Sequence, residues 1–475
     1  MESKNILESE LLQLECHFTW ELKENDLDYL ENRLLDEIKF GYSKYKIGFY
    51  NHLAYVKFLQ QDTEGALKFL EQAEKTARDN HAEDFEKLII VTYGNFAWLY
   101  FHMGDGPKAQ SYLRKVEVIC KMFPNRARLT ALIPTLYGEK GWCFLKAWNK
   151  KYEEINACFE KALEQEPDEP EWNTGYAIAL SRSERGITRQ NTDEETAAVN
   201  QLRRALQLDP ENSMIMALLA LVLKQKTEST ELAEQALKMS HDNPLVAQLV
   251  GKVFRLLGEA DKSLQILQAA LPFTSSTSIL HYQIALNYKS KVRDANCLTK
   301  NKSEYPQIKK LIEMEIYHLK QVAQQRPSYI WPQVDLATCY ADLKNFGKAL
   351  KIMSSLFSIP DLQDEEKQEI HLNLGKLYFY RLKSVHVAVA HFKAGIQIET
   401  DSEKRKQCFS SLRKVAETLG RGNPENGLHF ALHGFIHQMN NSKTEAIQFY
   451  EKALFYDKGN EEYLKALSDL HHPVS

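Results

Sequence analysis

Glycine, proline and long apolar stretches are scarce in this sequence. Its 475 residues include 20 Gly and 14 Pro, whereas average usage is about 7% and 5%, so a turn-rich β-sandwich or barrel is disfavoured. The longest apolar run, residues 214–223, is about half the length that a membrane-spanning helix needs. The opening MESKNILESE has neither the basic nor the apolar region of a secretory signal. We expect a soluble, mostly helical, cytoplasmic protein.

Charge and cysteine content exclude further classes. The 60 Lys plus Arg face 64 Asp plus Glu, a net charge of −4, so the composition does not indicate a general polyanion-binding protein. Seven scattered cysteines, an odd number, suit reduced thiols better than a disulfide framework. With 44% hydrophobic and 26% charged residues, the chain can bury a large core, as about three domains or as one extended repeat array.

A recurring spacing indicates an internal repeat. A small residue is followed 12 positions later by a second one, and 4 positions after that by an apolar residue, as in Ala54, Ala66 and Leu70. Two antiparallel helices need small residues where their backbones approach, so the spacing is typical of the tetratricopeptide helix pair. Further copies begin at Ala97, Gly251, Ala337 and Gly434, and less regular ones occupy 141–167, 172–210, 212–244, 279–327 and 371–398.

These repeats predict an all-α fold, a tetratricopeptide-repeat superhelix of about nine helix pairs with a concave, positively lined inner groove. Pro167, Pro210 and Pro244 should mark the ends of second helices, because proline cannot continue a helix. Two polar inserts, 183–195 and 289–309, are expected to leave the helical array as loops or an extended turn.

We divide the chain into four segments. They are an N-terminal helical segment (1–50), N-terminal repeats (51–245), middle repeats with a charged insert (246–400), and a C-terminal repeat and cap (401–475).

Signatures of catalysis and metal binding are missing. The sequence contains no GxxxxGK[ST], HExxH or GxSxG. Gly104, Gly106 and Ala109 spell GxGxxA, but between two repeat helices instead of after a strand, so we interpret them as structural. Cys16 with His17, and the pair at 471–472, lack a second ligand pair at zinc spacing. We predict neither an enzyme nor a cofactor or metal.

Several stretches are more specific than a generic repeat. They are CHFTW at 16–20, NHLAYVKFL at 51–59, GNFAWLYFHMG at 94–104 and ACFEKALEQEPDEPEWNTGYAIA at 157–179. They resemble the interferon-induced proteins with tetratricopeptide repeats, and the resemblance runs in order along the whole chain. It implies a cytosolic antiviral protein that captures the 5′ end of foreign single-stranded RNA and blocks its translation. The captured end is a triphosphate or an incompletely methylated cap.

The resemblance assigns four residues to the RNA 5′ phosphates: Arg33, Lys146, Tyr152 and Arg182. An arginine fork suits bidentate contact with phosphate. Ordinary alternatives remain open, because Arg33 is spaced to pair with Glu37 one turn later. Tyr152 could equally pack at the start of a repeat's second helix, and Arg182 could be a solvated helix end.

The resemblance also assigns residues to the base, ribose or cap pocket. They are Trp142, Glu171, Ile178, Arg255, Gln283 and Tyr329. Trp142 also suits packing within its repeat, and Tyr329 keeps a flat face for stacking where relatives carry phenylalanine. Gly41 replaces a larger apolar residue of cap-binding members, so the choice between triphosphate and cap stays open.

Four further positions depart from the family pattern. Gln248 and Leu249 replace a basic and an aromatic residue, and Met214 replaces a tyrosine, which predicts weaker or more salt-sensitive RNA binding. Glu37 replaces glutamine and, when ionised, only accepts hydrogen bonds. It would therefore weaken phosphate capture or bind a bridging divalent cation. The alternative function is an antiviral protein-binding scaffold with reduced or no RNA affinity, which assembles with family relatives or host translation initiation factors.

Overall fold

The computed structural model describes residues 2–22, 25–123, 126–147, 151–183, 196–298 and 305–471. Within these ranges the chain forms 25 α-helices and one small hairpin. It divides into two compact units, residues 1–302 with 324–326 and residues 303–323 with 327–475. Our four-segment division stays a prediction. None of the described helices combines the length and apolarity needed to span a bilayer.

The first unit contains sixteen helices and the hairpin. The helices are α1 (Glu2–Leu11), α2 (Leu27–Phe40), α3 (Ile47–Leu59), α4 (Thr63–Asn80), α5 (Phe85–Leu88), α6 (Ile90–His102), α7 (Gly106–Cys120), α8 (Pro134–Lys146), α9 (Tyr152–Gln165), α10 (Pro170–Ser183), α11 (Ala197–Leu208), α12 (Ser213–Val222), α13 (Lys226–Met239), α14 (Pro244–Leu256), α15 (Ala260–Ala270) and α16 (Ser278–Leu298). Strands β1 (Arg126–Ala127) and β2 (Thr130–Ala131) pair antiparallel.

The second unit contains the remaining helices, with α17 belonging to it as far as Ala323. They are α17 (Tyr305–Gln325), α18 (Ile330–Asp342), α19 (Phe346–Leu356), α20 (Asp364–Lys376), α21 (Val385–Gln397), α22 (Glu403–Gly422), α23 (Gly427–Met439), α24 (Lys443–Tyr456) and α25 (Glu461–His471).

Consecutive helices pack in pairs, as the repeat predicts. The nine pairs in the described ranges are α3–α4, α6–α7, α8–α9, α10–α11, α12–α13, α14–α15, α18–α19, α20–α21 and α23–α24. The second small residue of each regular copy is fully buried; these residues are Ala66, Ala109, Ser263, Ala349 and Ala446. The two helices of each pair therefore pack closely at a position where no large side chain separates their backbones.

The turn inside each regular pair also repeats. Seven residues after the first small residue, the backbone adopts a positive φ at Gln61, Gly104, Gly258, Lys344 and Asn441. The following residue caps the second helix in several copies. Asp62, for example, accepts a hydrogen bond from the backbone of Gly65, and Asp105 accepts one from Lys108. The GxGxxA motif lies in one of these turns, as its structural interpretation requires.

Three expectations from the sequence need correction. The ends of the 289–309 insert are helical instead of looped, because its first ten residues contain no proline or glycine and extend α16, and Pro306 lies in the first turn of α17. Pro244 opens α14 instead of ending a helix. The β1–β2 hairpin interrupts an otherwise helical unit. Most of the 183–195 insert lies outside the described residues.

Close helix contact gives a stability prediction. A Cβ at Gly175 of α10 would lie 2.2 Å from Cε1 of the fully buried Phe159 on α9. Gly175→Ala should therefore destabilise the protein by about 1–3 kcal/mol, because the ring has no room to move. A Cβ at Gly106 meets nothing within 4 Å, so Gly106→Ala should be neutral or slightly stabilising. Urea unfolding midpoints of both variants check this, and equal midpoints would contradict it.

Candidate functional site

Two open cavities of the first unit meet at Trp142. The first, which we call the cationic cavity, measures about 720 Å³ and is lined by Arg33, Lys146 and Arg182 among others. The second, which we call the Glu171 cavity, measures about 750 Å³ and is lined by Glu171, Ser43 and Lys44 among others. Trp142, Glu37 and Met214 line both.

Three of the helices that line the cationic cavity supply all of its basic side chains, and each of the three contributes two residues spaced four apart. Helix α2 contributes Arg33 and Glu37, α8 contributes Trp142 and Lys146, and α10 contributes Ile178 and Arg182. Residues four apart lie on the same face of a helix, one turn after the other. Two of the three helices therefore present an apolar side chain and, one turn later, a cation.

A buried ion pair lies in this cavity. Lys146 Nζ donates a hydrogen bond to Glu37 Oε1, and the two side chains are only 6% and 7% exposed. Burial would raise the pKa of Glu37, but Lys146, Arg33 and Arg182 together lower it, so Glu37 is ionised at neutral pH. Burial lowers the pKa of Lys146 to about 8, with Glu37 opposing and the two arginines reinforcing the shift. Both partners are charged at pH 7.

This pairing corrects one expectation and leaves two arginines facing the cavity. Glu37 pairs across to Lys146, and Arg33 makes no ion pair within 4 Å in the part of the chain that the structure describes. Arg182 is held by a 3.0 Å hydrogen bond from Nη1 to the carbonyl of Leu145. Since a guanidinium has five N–H donors, each arginine can still donate to a phosphate.

The charge of the cationic cavity is nearly balanced. Its lining holds three basic side chains and two carboxyl groups, Glu37 and Asp36. The hydroxyl of Thr274 donates to Asp36, and burial raises the pKa of that carboxyl. Gln248, Leu249 and Met214 line the same cavity and add no charge. No further cation replaces the lost basic residue among the described lining residues.

Trp142 combines packing and exposure to the cavities. Its ring packs edge-on against Phe159 at 5.8 Å, and Lys146 Nζ lies 5.7 Å from the ring centroid. The indole N–H is buried without a hydrogen-bond acceptor in the described ranges. A buried donor without a partner is costly, so an acceptor atom of a ligand would satisfy this group.

Glu171 presents a buried carboxyl to the second cavity. The backbone N–H of Lys44 donates to its Oε2 at 3.2 Å. Burial raises the pKa of Glu171 to about 7, and hydrogen bonds from Ser43 and the Lys44 backbone oppose the shift. Near neutral pH the carboxyl therefore exists in both forms, and it can accept or donate a hydrogen bond.

Four assigned residues do not line either cavity. Tyr152 is the first residue of α9 and packs against a hydrophobic cluster that includes Ile155 and Phe159. Arg255 and Gln283 contact each other, with 3.4 Å between Nη2 and Oε1. Tyr329 immediately precedes α18 in the second unit, and its side chain makes no capping hydrogen bond to that helix.

Sequence reasoning missed a third cavity beside Trp142. It measures about 460 Å³, and its lining includes Glu139, His52 and Cys143. Asn51 Nδ2 donates to Glu139 Oε1 at 2.8 Å, and burial raises the pKa of Glu139 to about 8. Glu139 sits in an ordinary helical pattern, so no sequence signal could have identified it.

Comparison with known proteins identifies the family. Human IFIT1, an antiviral innate immune response effector, is 36% identical over 452 residues, 94% of each chain. The chain belongs to the interferon-induced proteins with tetratricopeptide repeats. Another member of this family, human interferon-induced protein with tetratricopeptide repeats 2, is 32% identical over 464 residues, 95% of this chain and 96% of its own. No protein-family model matches the sequence.

Solved structures of the same family support the fold. The human IFIT1 dimer with m7Gppp-AAAA matches with a TM-score of 0.81 and 35% identity, covering 95% of this chain and all of that one. The human IFIT1 dimer with PPP-AAAA matches with a TM-score of 0.78 at the same identity and coverage. The predicted all-α tetratricopeptide-repeat superhelix is therefore confirmed, as is the family resemblance.

The raised pKa of Glu171 gives a pH prediction. The folded protein keeps a proton on this carboxyl between its ordinary pKa of 4.5 and about 7, whereas the unfolded chain releases it. Folding stability should therefore fall as pH rises through this window. Ser43, Lys44 and Glu169 are the polar groups around this carboxyl. Glu171→Gln should reduce the decrease of folding stability with pH, whereas Glu64→Gln, at an exposed position of α4, should leave it unchanged. Urea unfolding across the window measures it, and parallel curves for wild type and Glu171→Gln would refute the assignment.

Proposed function

We propose that this protein captures the 5′ end of single-stranded RNA in the cytoplasm and performs no reaction on it. The observation that carries the proposal is the convergence of Arg33, Lys146 and Arg182, from three helices, on one cavity beside Trp142. Human IFIT1, whose structures contain PPP-AAAA and m7Gppp-AAAA, has the same fold. Sequestering the 5′ end would make it inaccessible for translation, which accounts for an antiviral effect.

Each part of the cavity suits one part of such a ligand. Arg33 and Arg182 offer N–H donors to phosphate oxygens. Trp142 offers a flat aromatic face for stacking and Ile178 adds an apolar contact, which together suit a base or cap ring. Glu171 suits a base edge or ribose hydroxyl in the adjoining cavity. Phosphate and stacking contacts carry no base code, so capture is independent of sequence.

Lys146 can contact a phosphate only if its ion pair with Glu37 changes. It must leave Glu37, or share its donors between Glu37 and a phosphate oxygen. A buried carboxylate next to a phosphate is unfavourable, so this chain binds a 5′ triphosphate less tightly than an otherwise identical chain with a neutral residue at position 37.

The assignments outside the two cavities rest on the family resemblance alone. They are a phosphate contact by Tyr152, and contacts near the first nucleotides by Arg255, Gln283 and Tyr329. We include them in the proposal, together with assembly with family relatives and with translation initiation factors. Human IFIT1 forms dimers in its structures.

A scaffold function is the second candidate, because several residues that line the cationic cavity reduce its positive charge. The Glu37 carboxylate neutralises one of three cations, and Gln248, Leu249 and Met214 supply none. If these losses abolish RNA affinity, the protein acts by binding family relatives or translation factors through its repeats.

The first RNA-binding prediction concerns Arg33. Wild type should bind RNA with a 5′ triphosphate more tightly than the same RNA with a 5′ hydroxyl. Arg33→Glu should weaken triphosphate binding on the order of 10- to 100-fold, because it replaces attraction with repulsion in a poorly screened cavity. Electrophoretic mobility shifts with both RNAs measure this.

Lys75→Glu provides the matched control, since it makes the same charge change at an exposed position of α4. Because Arg33 helps to keep the buried Glu37 ionised, Arg33→Glu should lower the thermal unfolding midpoint, so circular dichroism at the assay temperature checks that the variant is folded. If wild type binds both RNA ends equally, the 5′-capture proposal is wrong and the scaffold candidate remains.

The second RNA-binding prediction concerns Glu37. Glu37→Gln should tighten triphosphate RNA binding about tenfold without magnesium, because Lys146 loses its carboxylate partner, and should barely affect 5′-hydroxyl RNA. Without Glu37, and with Arg33 and Arg182 nearby, the pKa of Lys146 should fall below about 8. The gain should therefore be larger at about pH 6 than at about pH 8.

Fluorescence anisotropy at the two pH values, with and without magnesium, tests this variant. Asp36 adjoins Glu37 on α2 and also lines the cavity, so Asp36→Asn serves as the comparison for removing a negative charge that is not paired with Lys146. Loss of magnesium-dependent affinity in Glu37→Gln would instead show that Glu37 holds a bridging cation.

A further inference from the structure

Three metal-binding side chains from distant parts of the sequence meet inside the first unit. His17 follows α1, His52 lies on α3 and Cys143 lies on α8. Their ligand atoms all lie within 4.8 Å of one another, and the residues are 0%, 1% and 4% exposed. We propose that His17, His52 and Cys143 bind a Zn²⁺ ion that fastens the N-terminal segment to the repeats.

The spacing fits a tetrahedral zinc site. Zinc binds sulfur at about 2.3 Å and nitrogen at about 2.0–2.1 Å, which places tetrahedral ligand atoms roughly 3.3–3.6 Å apart. The distance from Cys143 Sγ to His52 Nδ1 is 3.7 Å. Closing the remaining separations from at most 4.8 Å requires side-chain movements of about 1 Å. Mixed thiolate and imidazole ligands are typical of zinc.

The fourth position adjoins a cavity. His52, Cys143 and Glu139 all line the 460 Å³ cavity, and Glu139 precedes Cys143 by one helical turn. The Glu139 carboxylate is not among the ligand atoms that lie within 4.8 Å of one another, so the fourth ligand is a water molecule in this cavity, which also gives the ion an entry path. Zinc binding releases the thiol proton of Cys143, since the thiolate is the ligand.

Of the three proposed ligands, His17 should bind zinc most weakly, because its hydrogen bonds with Asn95 favour the wrong tautomer of its ring. Its Nε2 is buried and has no hydrogen-bond partner in the described part of the chain. Asn95 Oδ1 accepts from the His17 backbone N–H at 3.1 Å, and Asn95 Nδ2 lies 3.2 Å from His17 Nδ1. An amide donor at Nδ1 places the ring proton on Nε2, whereas ligation through Nε2 needs the proton on Nδ1.

This conflict makes residue 95 a sharp probe. An aspartate there could accept from the backbone N–H and from Nδ1–H together, and so hold the ligating tautomer. Asn95→Asp should therefore lower the Kd for zinc by about tenfold. If the cluster has only a structural role and binds no zinc, Asn95→Asp should instead destabilise the fold, since it adds a buried carboxylate with no metal ion beside it.

The experiment uses the full chain without an affinity tag, in a Cys297→Ser background that removes the exposed thiol. After dialysis against buffered zinc, mass spectrometry should find one zinc per chain. Cys143→Ser should lose it, and Cys120→Ser, which removes a buried thiol of α7 outside the cluster, should keep it. Circular dichroism checks that each variant is folded.

Cobalt substitution keeps the test decisive if Cys143→Ser does not fold. Co²⁺ in the site should give the thiolate-to-cobalt charge-transfer absorption and the intense visible bands of tetrahedral coordination. The proposal is overturned if the parent protein binds no zinc, if folded Cys143→Ser retains it, or if cobalt gives no thiolate band. The cluster would then be held by hydrogen bonds, such as that between Cys143 and His52, and not by a metal ion.

Discussion

The close approach of neighbouring helices at glycine is the constraint on which the candidate site depends. Phe159 of α9 lies against two glycines, Gly141 of α8 and Gly175 of α10, where a Cβ would come within 2.9 Å and 2.2 Å of its ring. These contacts set the positions of α8 and α10. Trp142 follows Gly141 directly, and Ile178 is one turn beyond Gly175. The walls of the cationic cavity are thus positioned by one aromatic ring.

Local features of the fold could be predicted from the sequence, because they depend on residues close together along the chain. The 12-residue spacing of small residues and the polar turn between them identify the helix pairs. Contacts between distant helices could not. The local rule favours pairing of Arg33 with Glu37, four residues apart, but Glu37 pairs with Lys146 on another helix. The meeting of His17, His52 and Cys143 is equally invisible in their spacing.

Under the proposed function, we expect the Glu37–Lys146 pair to affect the selectivity of ligand binding more than the stability of the fold. A buried ion pair gains little over apolar packing, because desolvation offsets the attraction. Here Lys146, Arg33 and Arg182 together keep Glu37 ionised, so the charges that line the cavity largely compensate one another. An incoming anion has to compete with a fixed carboxylate for Lys146. A triphosphate, with several charges spread over its length, offers more acceptor oxygens to the two arginines than a single phosphate does.

Trp142 lies between the cationic cavity, where an anion would compete for Lys146, and two other cavities of the first unit. Its side chain lines three cavities, those containing Lys146, Glu171 and Glu139. Successive residues of a helix point about 100° apart, so Cys143 faces His52 while the neighbouring Trp142 also reaches the cationic cavity and the Glu171 cavity. A metal ion that fixes Cys143 would also restrict rotation of α8 about its axis. The orientation of the indole, and with it the width of the pocket for a base, would then depend on a site that no RNA atom contacts.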